Sequence, residues 1–194
     1  MEEEEEDTSP PIINITSTSG ISSGDTTNDN TIDLRFISDE DITEFTVDDI
    51  TLVNCTIGTL TTVSSVEYTA TITPSSNGLC KISVGANSFK NLNNIFNNVA
   101  SNIFQWTYDN VSPTMTITST TSGVTDGSTS NDATLALTFT SSKATTDFIV
   151  GDISVSGGTL SLFNATSSTV YTATFTPTGS GSTTIDVEGS VFMD

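Results

Sequence analysis

Two tandem all-β sandwiches are the fold class this sequence predicts. Three observations carry the prediction: an internal repeat of about a hundred residues, period-2 hydrophobic alternation within each copy, and a wealth of β-branched and turn-forming residues. At a shift of 103 residues, Asn28 and Asp29 fall on Asn131 and Asp132, Phe36 on Phe139 and Phe45 on Phe148. Further along, Asp49 and Ile50 fall on Asp152 and Ile153, Tyr68-Thr69-Ala70-Thr71 on Tyr171-Thr172-Ala173-Thr174, Pro74 on Pro177 and Phe89 on Phe192. Before Gly20 the shift is 102, which places Pro11, Ile13 and Ile15 on Pro113, Met115 and Ile117. A unit of this size suits a self-contained sandwich better than a solenoid repeat.

The strands of the first copy follow in order. Ile12–Ser17 alternates at Ile13 and Ile15, and Thr31–Phe36 alternates at Ile32, Leu34 and Phe36. Asp49–Val53 and Gly58–Val63 are short β-branched runs. Val66–Thr73 sets Tyr68, Ala70 and Ile72 on one face, Leu79–Val84 follows, and Ala100–Tyr108 lines up Phe104, Trp106 and Tyr108. The second copy repeats the pattern with Leu135, Leu137 and Phe139, then with Tyr171, Ala173 and Phe175. Such alternation marks strands with one buried face, and Phe36, Tyr68, Trp106, Phe139 and Tyr171 are the expected core. About seven short strands in the first copy, with no helical stripe, predict immunoglobulin-like topology.

Composition narrows the function. The chain has 24 Asp and Glu, 4 Lys and Arg and no His, for a net charge of -20. Without imidazole there is no histidine base, no Ser-His-Asp or Cys-His nucleophile and no imidazole metal site. The excess negative charge makes nucleic acid and anionic membrane surfaces poor partners. No apolar run approaches the ~18 residues of a membrane-spanning helix, so no direct membrane insertion is expected. Residues 1–9, with Glu2 to Glu6 and Asp7, read as an acidic disordered leader, and the chain as a piece of a longer protein.

Several segments resemble the bacterial-type Ig-like domains that occur in tandem in very large surface proteins. They are Ser112-Pro113-Thr114-Met115-Thr116-Ile117-Thr118-Ser119, Thr146-Asp147-Phe148 through Asp152-Ile153, Tyr171 to Pro177, and Ala100-Ser101-Asn102 through Trp106-Thr107-Tyr108-Asp109. The resemblance implies a non-enzymatic structural or adhesive module, an extended spacer or filament block at a cell or virion surface, with neighbouring repeats or other subunits as partners. It assigns domain 1 to 10–109 and domain 2 to 114–194, joined by a linker at 110–113.

Two features depart from a simple array. Phe192-Met193-Asp194 corresponds to Phe89-Lys90-Asn91, so the second copy has no counterpart of Asn91–Tyr108 and lacks its last strand in this chain. Either the protein continues, or a neighbouring subunit donates the strand to a filament. The second departure is Cys55 and Cys80, which are jointly replaced by Gly158 and Thr183. A disulfide is expected, closing a loop of ~25 residues for roughly 3 kcal/mol; two buried thiols are the alternative.

The candidate sites are few. Asn-x-Ser/Thr sequons stand at Asn14, Asn54, Asn110 and Asn164, with Asn54 and Asn164 the preferred glycan acceptors. Asp29 with Asp132 and Asp49 with Asp152 recur in both copies and, with Asp109 at the junction, are the calcium candidates. Side-chain-to-backbone bonds at turn entries are the competing reading. A glycan-binding module is the alternative function, resting on Phe89, Phe96 and the Asn91–Asn98 loop. An enzyme would need paired carboxylates such as Asp39 and Asp49 in one cleft, and nothing in the sequence forces them together. Pro113 fixes its own φ and keeps Ser112 extended, so consecutive domains are expected to stack as a rod, each adding roughly 40 Å at ~3.3 Å per strand residue.

Overall fold

The computed structural model describes residues 9–93 and 95–194, so nearly all of the expected acidic leader lies outside the described residues. The chain divides into two units, Met1–Val111 and Ser112–Asp194.

In unit 1 the strands are β1 (Ile13–Ser17), β2 (Thr26–Thr27), β3 (Ile32–Ser38), β4 (Ile42–Thr43), β5 (Ile50–Val53) and β6 (Cys55–Ile57). They continue as β7 (Thr61–Thr62), β8 (Glu67–Pro74), β9 (Gly78–Val84), β10 (Lys90–Asn91) and β11 (Phe104–Tyr108). One sheet runs β1-β3-β8-β6, with β7 also on β8; the other runs β2-β11-β9-β5. The period-2 alternation dictates this arrangement. Ile32, Leu34 and Phe36 point inward with essentially no exposure, and Ile72, Ile82 and Trp106 meet them in one core.

Unit 2 comprises β12 (Met115–Ser119), β13 (Leu135–Ser141), β14 (Ile153–Ser156), β15 (Gly158–Ala165), β16 (Val170–Pro177) and β17 (Thr184–Val187). Its first sheet, β12-β13-β16-β15, repeats that of unit 1, whereas its second contains only β14 and β17. Both units are all-β and immunoglobulin-like, as the alternation predicts.

An aromatic cluster recurs at equivalent positions. Phe45 lies 5.8 Å from Phe36, 5.1 Å from Tyr68 and 5.3 Å from Phe89, ring centroid to centroid. Phe148 lies 6.1 Å from Phe139, 4.9 Å from Tyr171 and 5.2 Å from Phe192. The tilted and edge-on geometries are those favoured by the ring quadrupoles. They anchor otherwise irregular segments, the one before β5 or β14 and the turn after β9 or β17, onto the first sheet.

The expected strand at Gly58–Val63 is corrected. The chain leaves β5 in one sheet and enters β6 in the other through a single residue, Asn54, at φ 56. Gly157 at φ 74 makes the same crossing in unit 2. The left-handed region suits Asn and Gly, and it brings pairing with β8 forward to Cys55. Sequence periodicity does not register such a crossing, because β-alternation continues on both sides of it.

The cysteine positions were replaced in concert with their neighbours. A Cβ on Gly158 would lie 2.3 Å from the Phe175 ring and 2.6 Å from the Thr176 carbonyl oxygen. Phe175 stands where unit 1 has Ile72, so the larger ring fills volume that Gly158 leaves free. Gly158→Ala is therefore expected to lower stability by about 1–3 kcal/mol through overpacking, read as a drop in the urea midpoint. Trp106→Ala removes the largest fully buried side chain and is expected to cost about 3–5 kcal/mol in the same measurement.

Candidate functional site

The polar side chains that the sequence offers for chemistry are spent on the backbone. Asp49 Oδ2 accepts the Thr46 N–H at 2.8 Å and Asp152 Oδ2 accepts the Ile149 N–H at 2.8 Å, each closing a single 3-10 turn, Val47–Asp49 or Val150–Asp152. Asp29 accepts the Thr27 hydroxyl at 2.8 Å, and Asp132 accepts that of Ser130. Asp109 Oδ1 takes the Val111 N–H at 3.1 Å. Asp39 Oδ1 receives the Ile12 N–H at 2.7 Å. Apart from the Asp39 bond, which joins residues 27 apart, these are local turn bonds, and among the described residues no group of three or more His, Cys, Asp or Glu is placed to hold a metal ion. The acids expected to ligate calcium are thus held apart by their own local turns.

Asp147 has a further task that the sequence does not announce. It accepts the Thr145 hydroxyl at 2.7 Å and the Met193 N–H at 3.0 and 3.2 Å on its two oxygens. Chiefly the Thr145 bond, and then that from Met193, hold its carboxyl below the usual carboxylate range. Lys143 Nζ reaches Asp194 at 2.8 Å, and Phe192 is buried against Phe148. Together these contacts hold 192–194 on unit 2.

The cysteine pair lies between the two sheets of unit 1. Cys80 Sγ is 3.3 Å from the Asn54 carbonyl oxygen, next to Cys55, and Cys55 Sγ is 3.8 Å from the Lys81 carbonyl oxygen, next to Cys80. The structure holds both as free, buried thiols and not as the expected disulfide. Burial, followed by the charge of the neighbouring Cys80, pushes the Cys55 thiol from 9.0 up to about 11. Burial likewise raises Cys80.

The sequons differ in availability. Asn14 is exposed on β1, Asn110 is exposed beyond β11, and Asn164 is exposed on β15 beside a register shift. Asn54 is the exception. Its Nδ2 donates to the Ser76 carbonyl at 2.8 Å and its Oδ1 accepts the Ser76 hydroxyl at 2.7 Å. Both ends of that amide hold the crossing.

Of the residues offered as a glycan platform, Phe89, Asn91 and Asn98 turn inward, whereas Phe96 is half-buried and Leu92, Asn93, Ile95 and Asn97 are exposed. Phe89 is buried in the aromatic cluster. Asn98 accepts the N–H groups of Ser88 and Phe89 and donates to the Gly85 and Val99 carbonyls, while Asn91 accepts those of Ile95 and Phe96. Asn102 grips β1, accepting the Ile15 N–H at 2.7 Å and donating to the Ile15 carbonyl at 3.0 Å. Asn richness in 91–102 signals a polar loop; only contacts made 87 residues away in sequence reveal that it is a structural latch. A surface hollow of about 270 Å³ is an open groove between Asp33, Thr59, Thr61, Thr69 and Thr71 on the outer face of the first sheet. Its acid is Asp33, whose Oδ1 accepts the Thr71 hydroxyl at 2.6 Å. No helix among the described residues is long and apolar enough to cross a membrane.

The architecture defines a tandem Ig-like protein. The chain belongs to the bacterial Ig-like domain family, whose model matches residues 7–107 and again residues 109–194. No curated protein matches the chain. Among solved structures, domains 4–9 of the surface layer protein SbsC align at 13% identity with a TM-score of 0.25. That match covers 93% of this chain, which spans 30% of the matched one.

Raised thiol values have a definite consequence for stability. Below pH 9 both folded and unfolded thiols are protonated and the stabilisation is complete; above it the unfolded chain sheds protons that the folded Cys55 retains until about pH 11. The urea midpoint is expected to fall as pH rises from 9 to 11, and Cys55→Ala to flatten that fall. Under reducing conditions, iodoacetamide is expected to label neither thiol in the native chain and both after denaturation.

Proposed function

We propose that the protein is a non-enzymatic structural module of an extracellular surface protein, in which repeated Ig-like units set distance as a rod-forming spacer. One observation carries this reading. The repeated acids make the same local bonds in both copies: Asp49 and Asp152 each accept a backbone N–H at a 3-10 turn, and Asp29 and Asp132 each accept the hydroxyl of the residue two before them. What the repeat preserves is therefore the scaffold. The -20 charge and the Ser/Thr-rich outer faces give a solvated surface that repels like-charged neighbours, which suits a spacer. The short connection at 110–113, with Pro113, favours limited bending between consecutive units. Neighbouring repeats or other subunits of the same assembly are its natural partners.

Antibodies raised against the chain are expected to label intact cells or virions of the source without permeabilisation. Labelling that appears only after lysis overturns the surface assignment. For the spacer role, scattering from one, two and three concatenated copies of the full chain is expected to show the maximum dimension growing by roughly 80 Å per copy, from two units of about 40 Å each. A dimension that stays nearly constant overturns it.

A further inference from the structure

Two sheets packed face to face stand about 10 Å apart, beyond the ~7 Å within which the Cα atoms of two cysteines can be bridged. The crossing in unit 1 removes that separation at one point. Along β5, Leu52 lies opposite Ile82 and Val53 opposite Lys81, so a continued ladder would set Asn54 opposite Cys80. Instead Asn54 turns at φ 56, and Cys55 pairs with Pro74 in the other sheet. A single residue therefore separates the strand beside Cys80 from the strand that begins with Cys55. The backbone itself carries one cysteine to the other.

The sulfur positions agree. Cys80 Sγ is 3.3 Å from the carbonyl oxygen of Asn54, the residue before Cys55, and Cys55 Sγ is 3.8 Å from the carbonyl oxygen of Lys81, the residue after Cys80. Both belong to the core of unit 1, Cys80 with no exposure and Cys55 with 8%. Trp106, opposite Cys80 on β11, is also without exposure. Unit 2 makes the same crossing at Gly157 without either cysteine, and its Gly158 has no space for a Cβ. The crossing thus does not need the sulfurs. They are present together in one copy and replaced together in the other, as the two members of a bonded pair are and two unrelated core thiols need not be.

We propose that Cys55 and Cys80 are a cross-linking site whose redox state is set while unit 1 folds: a disulfide-bearing oxidant joins them across the two sheets before closure, and the closed fold then shields them. The step is a double thiol–disulfide exchange. The thiolate of one cysteine attacks the oxidant, forming a mixed disulfide and expelling one thiolate; the other cysteine's thiolate attacks that mixed disulfide, forms the Cys55–Cys80 bond and expels the second. Two electrons pass to the oxidant, whose two thiolates take up the protons the cysteines have lost. Each attack needs an accessible thiolate. The folded pair offers none, because both sulfurs are buried and burial keeps the Cys55 thiol protonated up to about 11. The inference rests on the surface assignment only for where an oxidant is met; the geometry belongs to unit 1 alone.

The test unfolds the full chain in urea with reductant and refolds it in two buffers, one with oxidised and reduced glutathione and one with dithiothreitol alone. After glutathione refolding, iodoacetamide in fresh urea without reductant is expected to label neither cysteine, and peptide mapping to find Cys55 joined to Cys80. The cross-linked chain is expected to keep the native Trp106 fluorescence and to have an unfolding equilibrium constant about a hundredfold smaller than the reduced chain. Two alkylated cysteines, glutathione retained on either of them, or a bonded chain without the native fluorescence overturns the cross-link. For the timing, the folded reduced chain placed in the same glutathione buffer is expected to cross-link at least about tenfold more slowly than the refolding chain. Equal rates overturn the shielding. Should the chain not refold from urea, the same alkylation and mapping are applied to chain secreted into a bacterial periplasm, where two free thiols in the folded product overturn the proposal. All of these readouts are independent of where the protein resides in its source, so a failed surface assignment leaves them unchanged.

Discussion

The tilted and edge-on packing of Phe45 among three other rings, and of Phe148 among four, is the interaction on which both units depend. Each cluster draws one residue from β3 or β13, one from β8 or β16, one from the irregular stretch before the 3-10 turn and one from the turn following β9 or β17. Segments distant in sequence are thus fixed to a single point at the end of the sandwich. With that point set, β5 and β14 begin in the same place in each copy, and the crossing at Asn54 or Gly157 follows four residues after the strand starts. The rings bury large apolar area with directional preference, so they specify position as well as contributing stability.

Around this shared frame the two units solve the same packing problem differently. Unit 1 places two thiols between its sheets and closes the second sheet with β11, whose Trp106 is completely buried. Unit 2 substitutes Gly158 and Thr183 for the thiols and enlarges Ile72 to Phe175. Ile117, Ile185 and Val187 are partly buried against its core. In unit 1, β2 and residues Gly78–Cys80 of β9 pair with β11 alone.

Function is read here from what the side chains are doing. Carboxylates and amides that could have ligated a cation or a sugar instead terminate turns, hold the loop of residues 85–99 and pin Asn102 to β1. A surface so occupied contributes persistence of shape. The tandem repetition of one scaffold supports the structural role proposed above.

Much of this was legible in the sequence. Alternation at Ile32, Leu34 and Phe36 and at Tyr68, Ala70 and Ile72 fixed which faces turn inward, because a strand has period two and water excludes half of it. The 103-residue repeat established two units, and the absence of histidine removed whole classes of chemistry. What only the tertiary structure decided depends on contacts across long sequence separations. The crossing at Asn54, the grip of Asn102 on β1 and the placing of Cys80 beside Asn54 each involve a partner more than twenty residues away. Local composition records that a residue is polar or small. Whether its hydrogen bonds go to water or to a distant strand is settled only when the two sheets close on each other.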